Sequence, residues 1–154
     1  MARVKTYAEA KSAAEALCAR SEHCVQDIRR KCFAWGLDEE SGERLIKELQ
    51  KGRYIDHGRY ASAFVREKSR LNKWGQVKIA AALRSKEIEE ETVKEALEEM
   101  PSEAVTEEVL LSLLRTKNRS LHDEDMRRRK EKLLRFAVSR GYAFDVALRV
   151  VEKV

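Results

Sequence analysis

The apolar residues of this chain recur three times in the same order, and that constrains its fold more than any other feature. With Leu37, Ile88 and Tyr142 as equivalent origins, Ile28, Ile79 and Leu133 stand nine residues before them, and Cys32, Leu83 and Ala137 five before. Leu45, Ala96 and Val150 stand eight after, Ile46, Leu97 and Val151 nine after, and Leu49, Met100 and Val154 twelve after. The origins are 51 and 54 residues apart. Spacings of three, four and eight put these residues on one face of each helix. A period of about 50 residues reads as a short helical array in which each unit buries its apolar face against itself or a neighbour. The expected fold is all-α, a curved tandem array of three three-helix repeats. The expected units are 1–55, 56–101 and 102–154 of one continuous elongated domain, with Leu45, Leu97 and Val151 buried.

Caps and breakers divide the chain into nine helical segments. The first runs from Tyr7 to Arg20. The second starts at Ser21 as N-cap and ends before Gly36; the third starts at Asp38 and stops at Gly52. Asp56 caps the fourth, which runs to about Leu71, with Tyr60, Phe64 and Leu71 as its apolar flank. The fifth spans about Gly75 to Ser85, the sixth Glu89 to Met100 before Pro101. The seventh runs from Ser102 to about Lys117. The polar stretch Thr116 to Asp125 reads as a mobile loop, the eighth helix as Glu124 to Arg140, and the ninth starts at Phe144. Six glycines and one proline are too few turn residues for a β-sandwich or barrel.

Several function classes fall away. No run of 18 apolar residues exists, and Met1 to Ala10 lacks an apolar signal core, so neither membrane span nor export is expected. HExxH, GxSxG, GxGxxG and a glycine followed by lysine are all absent, which argues against an enzyme and against a cofactor. Cys18, Cys24 and Cys32 are odd in number and form no CxxC, as suits reduced thiols in a cytoplasm. Together with His23 they match no zinc spacing. Cys32 shares its repeat position with Leu83 and Ala137 and reads as core. His23 and Cys24 are adjacent, so helix geometry points them apart and they make a poor catalytic pair.

Charge is distributed unevenly. From Arg59 to Lys86 the net charge is +7, and from Glu87 to Glu99 it is −6. On the fourth helix Arg59, Arg66, Arg70 and Lys73 fall within an arc of roughly 60°. With few acidic residues beside it, this ridge reads as a surface for an acidic partner, continued by Lys78, Arg84 and Lys86. A second basic run on the eighth helix puts Arg128, Lys132 and Arg135 on one face. The acids of the sixth helix read as a solvated surface. Trp35, beside Gly36, reads as packing, and so does Trp74, although its setting among basic residues also suits contact with a partner.

Tyr54-Ile55-Asp56-His57-Gly58-Arg59-Tyr60-Ala61, Phe64-Val65-Arg66, Lys73-Trp74-Gly75, Lys78-Ile79 and Leu83-Arg84-Ser85-Lys86-Glu87-Ile88 together resemble the core signature of the RecX family, regulators of the RecA recombinase. Ala19-Arg20-Ser21-Glu22-His23 and Trp35-Gly36-Leu37 extend the resemblance into the first unit. Lys132-Leu133-Leu134-Arg135-Phe136 and Arg140-Gly141-Tyr142 extend it into the third. Glu87 departs from the pattern, because the family often has glycine there; the segment from Asn118 to Asp125 departs as a charged insert. The resemblance implies a cytoplasmic, monomeric, non-enzymatic protein that binds the RecA–DNA filament and inhibits RecA recombinase and ATPase activity. The implied setting is DNA repair, recombination and the SOS response, with single- and double-stranded DNA as further ligands. The competing expectation is a nucleic-acid-binding helical-repeat protein that acts without RecA.

Overall fold

A computed structural model describes residues 3–122 and 125–154. Among them are nine α-helices and no strand: α1 (Tyr7–Arg20), α2 (Val25–Ala34), α3 (Glu39–Lys51), α4 (His57–Arg70), α5 (Gln76–Ser85), α6 (Glu90–Leu97), α7 (Glu103–Ser120), α8 (Met126–Ser139) and α9 (Phe144–Val151). The closely packed helix pairs all lie within α1–α3, α4–α6 or α7–α9. The buried apolar residues form three clusters to match, around Ile28, Leu45 and Leu49, around Val65, Ile79 and Leu83, and around Leu110, Leu114 and Val150. The chain is an all-α tandem array of three-helix units.

Side-chain caps begin most helices. Thr6 and Glu9 form a reciprocal capping box on α1. Asp38, Asp56 and Ser102 accept from the backbone N–H groups of Ser41, Arg59 and Val105. Ser21 differs from its expected role. Its N–H closes the end of α1 on the Leu17 carbonyl, and Cys24 is the N-cap of α2. The middle helix of each unit ends in the same way. Gly36, Glu87 and Gly141 have φ of 82°, 59° and 95°. The next N–H then reaches back five residues, Leu37 to Cys32 at 3.1 Å, Ile88 to Leu83 at 3.2 Å and Tyr142 to Ala137 at 3.2 Å. This is a Schellman-type stop with an apolar residue behind it. Glu87 therefore takes the backbone shape that glycine takes in the other units.

Some expectations need correction. Leu97 and Met100 are only half-buried and Val154 is 37% exposed, because α6 and α9 end at Leu97 and Val151. After Leu97 the chain tightens into bonds three residues apart, Glu98 to Glu95, Glu99 to Ala96 and Met100 to Leu97. Leu71 is 78% exposed rather than part of the core flank, since it lies just past the end of α4. Thr116 to Ser120, expected in a loop, continue α7. Arg129 on α8 supports this extra turn by donating to the carbonyls of Asn118 and Leu121 and to Asn118 Oδ1. Residues 123 and 124 of the expected loop lie outside the described residues.

The units interlock at their ends. Cys24, from the first unit, lies in the core of the second. Gly75 N–H bonds the Arg140 carbonyl at 2.8 Å and Val77 N–H the Gly141 carbonyl at 3.0 Å, so the second and third units meet backbone to backbone. A Cβ on Gly75 would lie 2.4 Å from the Gly141 oxygen, and one on Gly141 would lie 2.3 Å from the Lys78 Cβ. Lys5 N–H makes the corresponding bond to the Trp35 carbonyl at 2.9 Å, docking the chain start on the first unit's turn.

Four substitutions test this packing. Leu49→Ala, at a fully enclosed site, is expected to cost about 2–5 kcal/mol, and Leu97→Ala clearly less, in urea unfolding. Glu87→Gly is expected to stabilise by about 0.5–1 kcal/mol by relieving a left-handed backbone. Gly141→Ala should destabilise by about 2 kcal/mol or more, through the same backbone strain plus a clash with α5. Equal effects at 87 and 141 would contradict the distinction between the two joints.

Candidate functional site

The two joints between units are built from different chemistry. At the first, carboxylates from one unit meet cations from the other. Lys86 Nζ lies 2.7 Å from Asp27 Oδ1, and Arg59 Nε donates to Glu22 at 2.7 Å. Gln26 and Glu87 also hydrogen-bond across it. His57 at the start of α4 accepts from Val25 N–H through Nε2 at 3.0 Å, which leaves Nδ1 to donate to Glu89 at 3.0 Å. Burial raises the Asp27 and Glu89 carboxyls, but bonds from Lys86 and His57 outweigh it and hold both below the usual range.

Folding thus pairs much of the expected basic ridge. Arg59 also donates to the Arg53 and Tyr54 carbonyls, so it is a tether between units. Arg66 contacts Ser62 at 3.0 Å and Glu99 at 3.5 Å. Arg84 makes a two-pronged bond to Glu90 at 2.8 and 2.9 Å. Glu90 of α6 and Glu99 just past its end, both in the stretch expected as a solvated face, partly neutralise α5 and α4, because α6 packs on both. Arg70 and Lys73 keep no carboxylate partner among the described residues; Lys73 Nζ lies only near the Arg70 carbonyl, at 3.4 Å.

The second joint holds the cations left over. Trp74 packs against the second unit's core while Lys68 and Lys78 stand 5.0 and 4.3 Å from its ring centroid. Phe64 meets Trp74 edge-on at 6.4 Å. Across the joint, Lys117 and Arg140 lie 5.3 and 5.7 Å from the Phe136 ring. Arg140 donates to the Asn72 carbonyl at 2.9 Å, and its Nε is buried with no partner among the described residues. The Tyr142 hydroxyl donates to the Lys73 carbonyl at 2.8 Å, and burial pushes that phenol up to about 12. Lys68, Lys73, Lys78, Lys117 and Arg140 thus stand about one joint on rings and carbonyls rather than on acids, with Arg70 exposed at the end of α4 beside them.

On α8, Arg128, Lys132 and Arg135 are all exposed, and Arg128 approaches Asp125 at 3.9 Å. Sequence spacing missed Lys117, Phe136 and Arg140, because only the folded joint brings them to Lys73. The −2 repeat position of Arg140, shared with Trp35 and Lys86, was the available signal.

Cys24 and Cys32 are buried, Cys18 is half-buried, and burial pushes all three thiols up, which favours the unreactive protonated form. Among the described residues no cluster of three or more His, Cys, Asp or Glu side chains is placed to hold a metal. No helix among them is long and apolar enough to cross a membrane.

Residues 56–97 match the family model for the second three-helix domain of RecX, and residues 106–151 that for its third. A regulatory protein RecX of Clostridium botulinum (strain Eklund 17B) is 30% identical over 130 residues, covering 83% of this chain and 60% of its own. That of Bacillus mycoides is 30% identical over 139 residues, covering 88% of this chain and 48% of its own. The chain thus spans about half to 60% of the length of these relatives. A crystal structure of regulatory protein RecX superposes with a TM-score of 0.81 at 23% identity, covering 95% of this chain and 73% of that one. RecX from Lactobacillus salivarius superposes with a TM-score of 0.78 at 19% identity, covering 96% and 95%.

The joints should respond differently to acid. A carboxyl whose folded pKa is depressed contributes stability above its unfolded pKa and loses it as pH falls toward the folded value. Asp27 and Glu89 are of this kind, so the first joint weakens below about pH 5. The backbone bonds of the second joint do not titrate. Amide exchange should show Val25 N–H losing protection before Gly75 and Val77 N–H as pH is lowered, after correction for intrinsic exchange; simultaneous loss would count against the contrast.

Proposed function

Because the chain belongs to the RecX family of regulatory proteins, we propose that it binds the RecA–DNA filament and lowers RecA ATPase and recombinase activity. The observation that supports this most is the second joint, a cluster of cations on aromatic faces that no acid of the described chain neutralises. Such a surface attracts an acidic protein face or nucleic-acid phosphate. Arg70, Lys73 and Lys78 from the second unit lie at this surface. Arg128, Lys132 and Arg135 on α8 form a second exposed basic face. Arg59, Arg66, Arg84 and Lys86 act through partners inside the chain, and their contribution to binding is correspondingly smaller. The protein acts by occupying the filament and carries out no reaction of its own.

The deciding experiment titrates the protein into RecA ATPase assays on single-stranded DNA. The double variant Arg70→Glu/Lys73→Glu is expected to inhibit at least about tenfold less well at low salt, with the gap narrowing as salt screens the charges. Glu91→Lys/Glu95→Lys, on exposed acids of α6, should inhibit as the parent does. If phosphate is contacted directly, each lost contact lowers the salt slope of DNA binding by about one. No inhibition by the parent protein would overturn the reading, and retained DNA binding in that case would favour a nucleic-acid binder that acts without RecA.

A further inference from the structure

One face of α7 is only partly used by the third unit's core: Leu113, with Phe136 of α8, packs against that core yet stays half-buried. Leu110 and Leu114 point inward and are fully buried. Val109, Ser112, Leu113, Thr116, Lys117 and Ser120 form a separate stripe at helical spacing along roughly 16 Å of α7. With Phe136 of α8 and Lys73 of the neighbouring unit they line an open groove of about 600 Å³. Its far end exists because α7 has 18 residues where α1 and α4 have 14. That additional turn carries Lys117 and Ser120.

We propose that this groove docks an acidic amphipathic helix of a partner protein, with apolar side chains on Val109, Leu113 and Phe136 and carboxylates on Lys73 and Lys117. Charge complementarity selects the occupant. Lys73 and Lys117 project at the groove with no carboxylate partner among the described residues, and Arg140 adds charge behind Phe136. Glu108 is the single acid of the lining. The stripe is about three turns long, matching a helix that presents anchors at i, i+3, i+4 and i+7. A nucleic-acid strand fits less well. Its apolar lining is Val109, Leu113 and the single ring of Phe136, whereas strand binding uses a succession of aromatic faces.

The inference rests on the RecA reading only for whose helix this is. The test uses the full chain and a fluorescein-labelled peptide of about 14 residues, with leucine at the anchor positions and glutamate on its flanks. Its twin carries lysine in place of glutamate. Anisotropy should show the acidic peptide binding and the lysine twin at least about tenfold weaker. Ser112→Trp, which fills the groove from an exposed position, and Lys117→Glu should each weaken the acidic peptide about tenfold, with circular dichroism unchanged. Equal binding of the twins, indifference to both substitutions, or displacement of the peptide by oligothymidylate would overturn the proposal. So would a concentration-dependent dimer abolished by Ser112→Trp, which would make a second copy the occupant. RecA inhibition is measured on the same samples. Peptide binding without RecA inhibition by the parent protein sinks the functional reading and leaves the groove. Inhibition without peptide binding does the reverse.

Discussion

The left-handed residue that ends the middle helix of each unit governs both what lies inside the unit and what joins it to the segment before it. At Gly36, Glu87 and Gly141 the reversal turns the chain so that Leu37, Ile88 and Tyr142 cover the helix just left, and the third helix packs back on the second. The same reversal exposes carbonyls at its edge. Where the residue is Gly141, another backbone comes close enough to bond those carbonyls, and the joint is made by Gly75 and Val77. Where it is Glu87, a Cβ and a long side chain stand at the corresponding place. That joint is made instead by side chains, Asp27 with Lys86 and Gln26 with Glu87. One residue type, glycine or not, thus separates a joint built from peptide groups from one built from ions.

The electrostatics of the surface follow from that difference. A joint made by side chains consumes charge, so the cations and acids around residues 22–27 and 86–89 are spent on each other. A joint made by peptide groups consumes none. The lysines and arginines near it remain, and aromatic rings rather than acids hold Lys68, Lys78, Lys117 and Arg140 in place. Ring contacts order a cation without neutralising it, so the charge stays available to a partner.

Much of the fold was legible in the sequence, because three-, four- and eight-residue spacings survive three times over. Every middle-helix position read from them is buried, from Ile28 and Cys32 to Leu133 and Ala137. The repeat frays at its last two positions: Leu97 is half-buried where Ile46 and Val151 are buried, and Leu49 is enclosed but Met100 is half-buried and Val154 exposed. Local periodicity does not encode where α6 and α9 stop. The C-terminus of α7 extends past expectation for a related reason: the polar stretch from Thr116 carries no apolar period, and Arg129, eleven residues beyond Asn118, bonds the Asn118 carbonyl and side chain. The candidate site was less legible still. Helical spacing groups Arg59 and Arg66 with Arg70 on one face, but the acidic partners of Arg59 and Arg66 come from Glu22 and Glu99, more than thirty residues away. Charge along one helix overstates charge on a surface whenever another helix packs beside it.

A surface held by a backbone joint has a consequence for how binding responds to solution conditions. The hydrogen bonds of Gly75 and Val77 carry no net charge, so salt and mild acid leave the frame that positions Lys73 against Lys117 and Phe136 in place. The charges it presents are exposed or half-buried and are screened as salt rises. Affinity for an acidic partner can therefore fall steeply with salt while the fold does not change. Because the cations are already oriented on rings, little side-chain freedom remains to be lost on association. In the complex proposed above, the loosely restrained members, Arg70 and Lys73, govern encounter, whereas Lys117 beside the apolar stripe governs how long the partner stays.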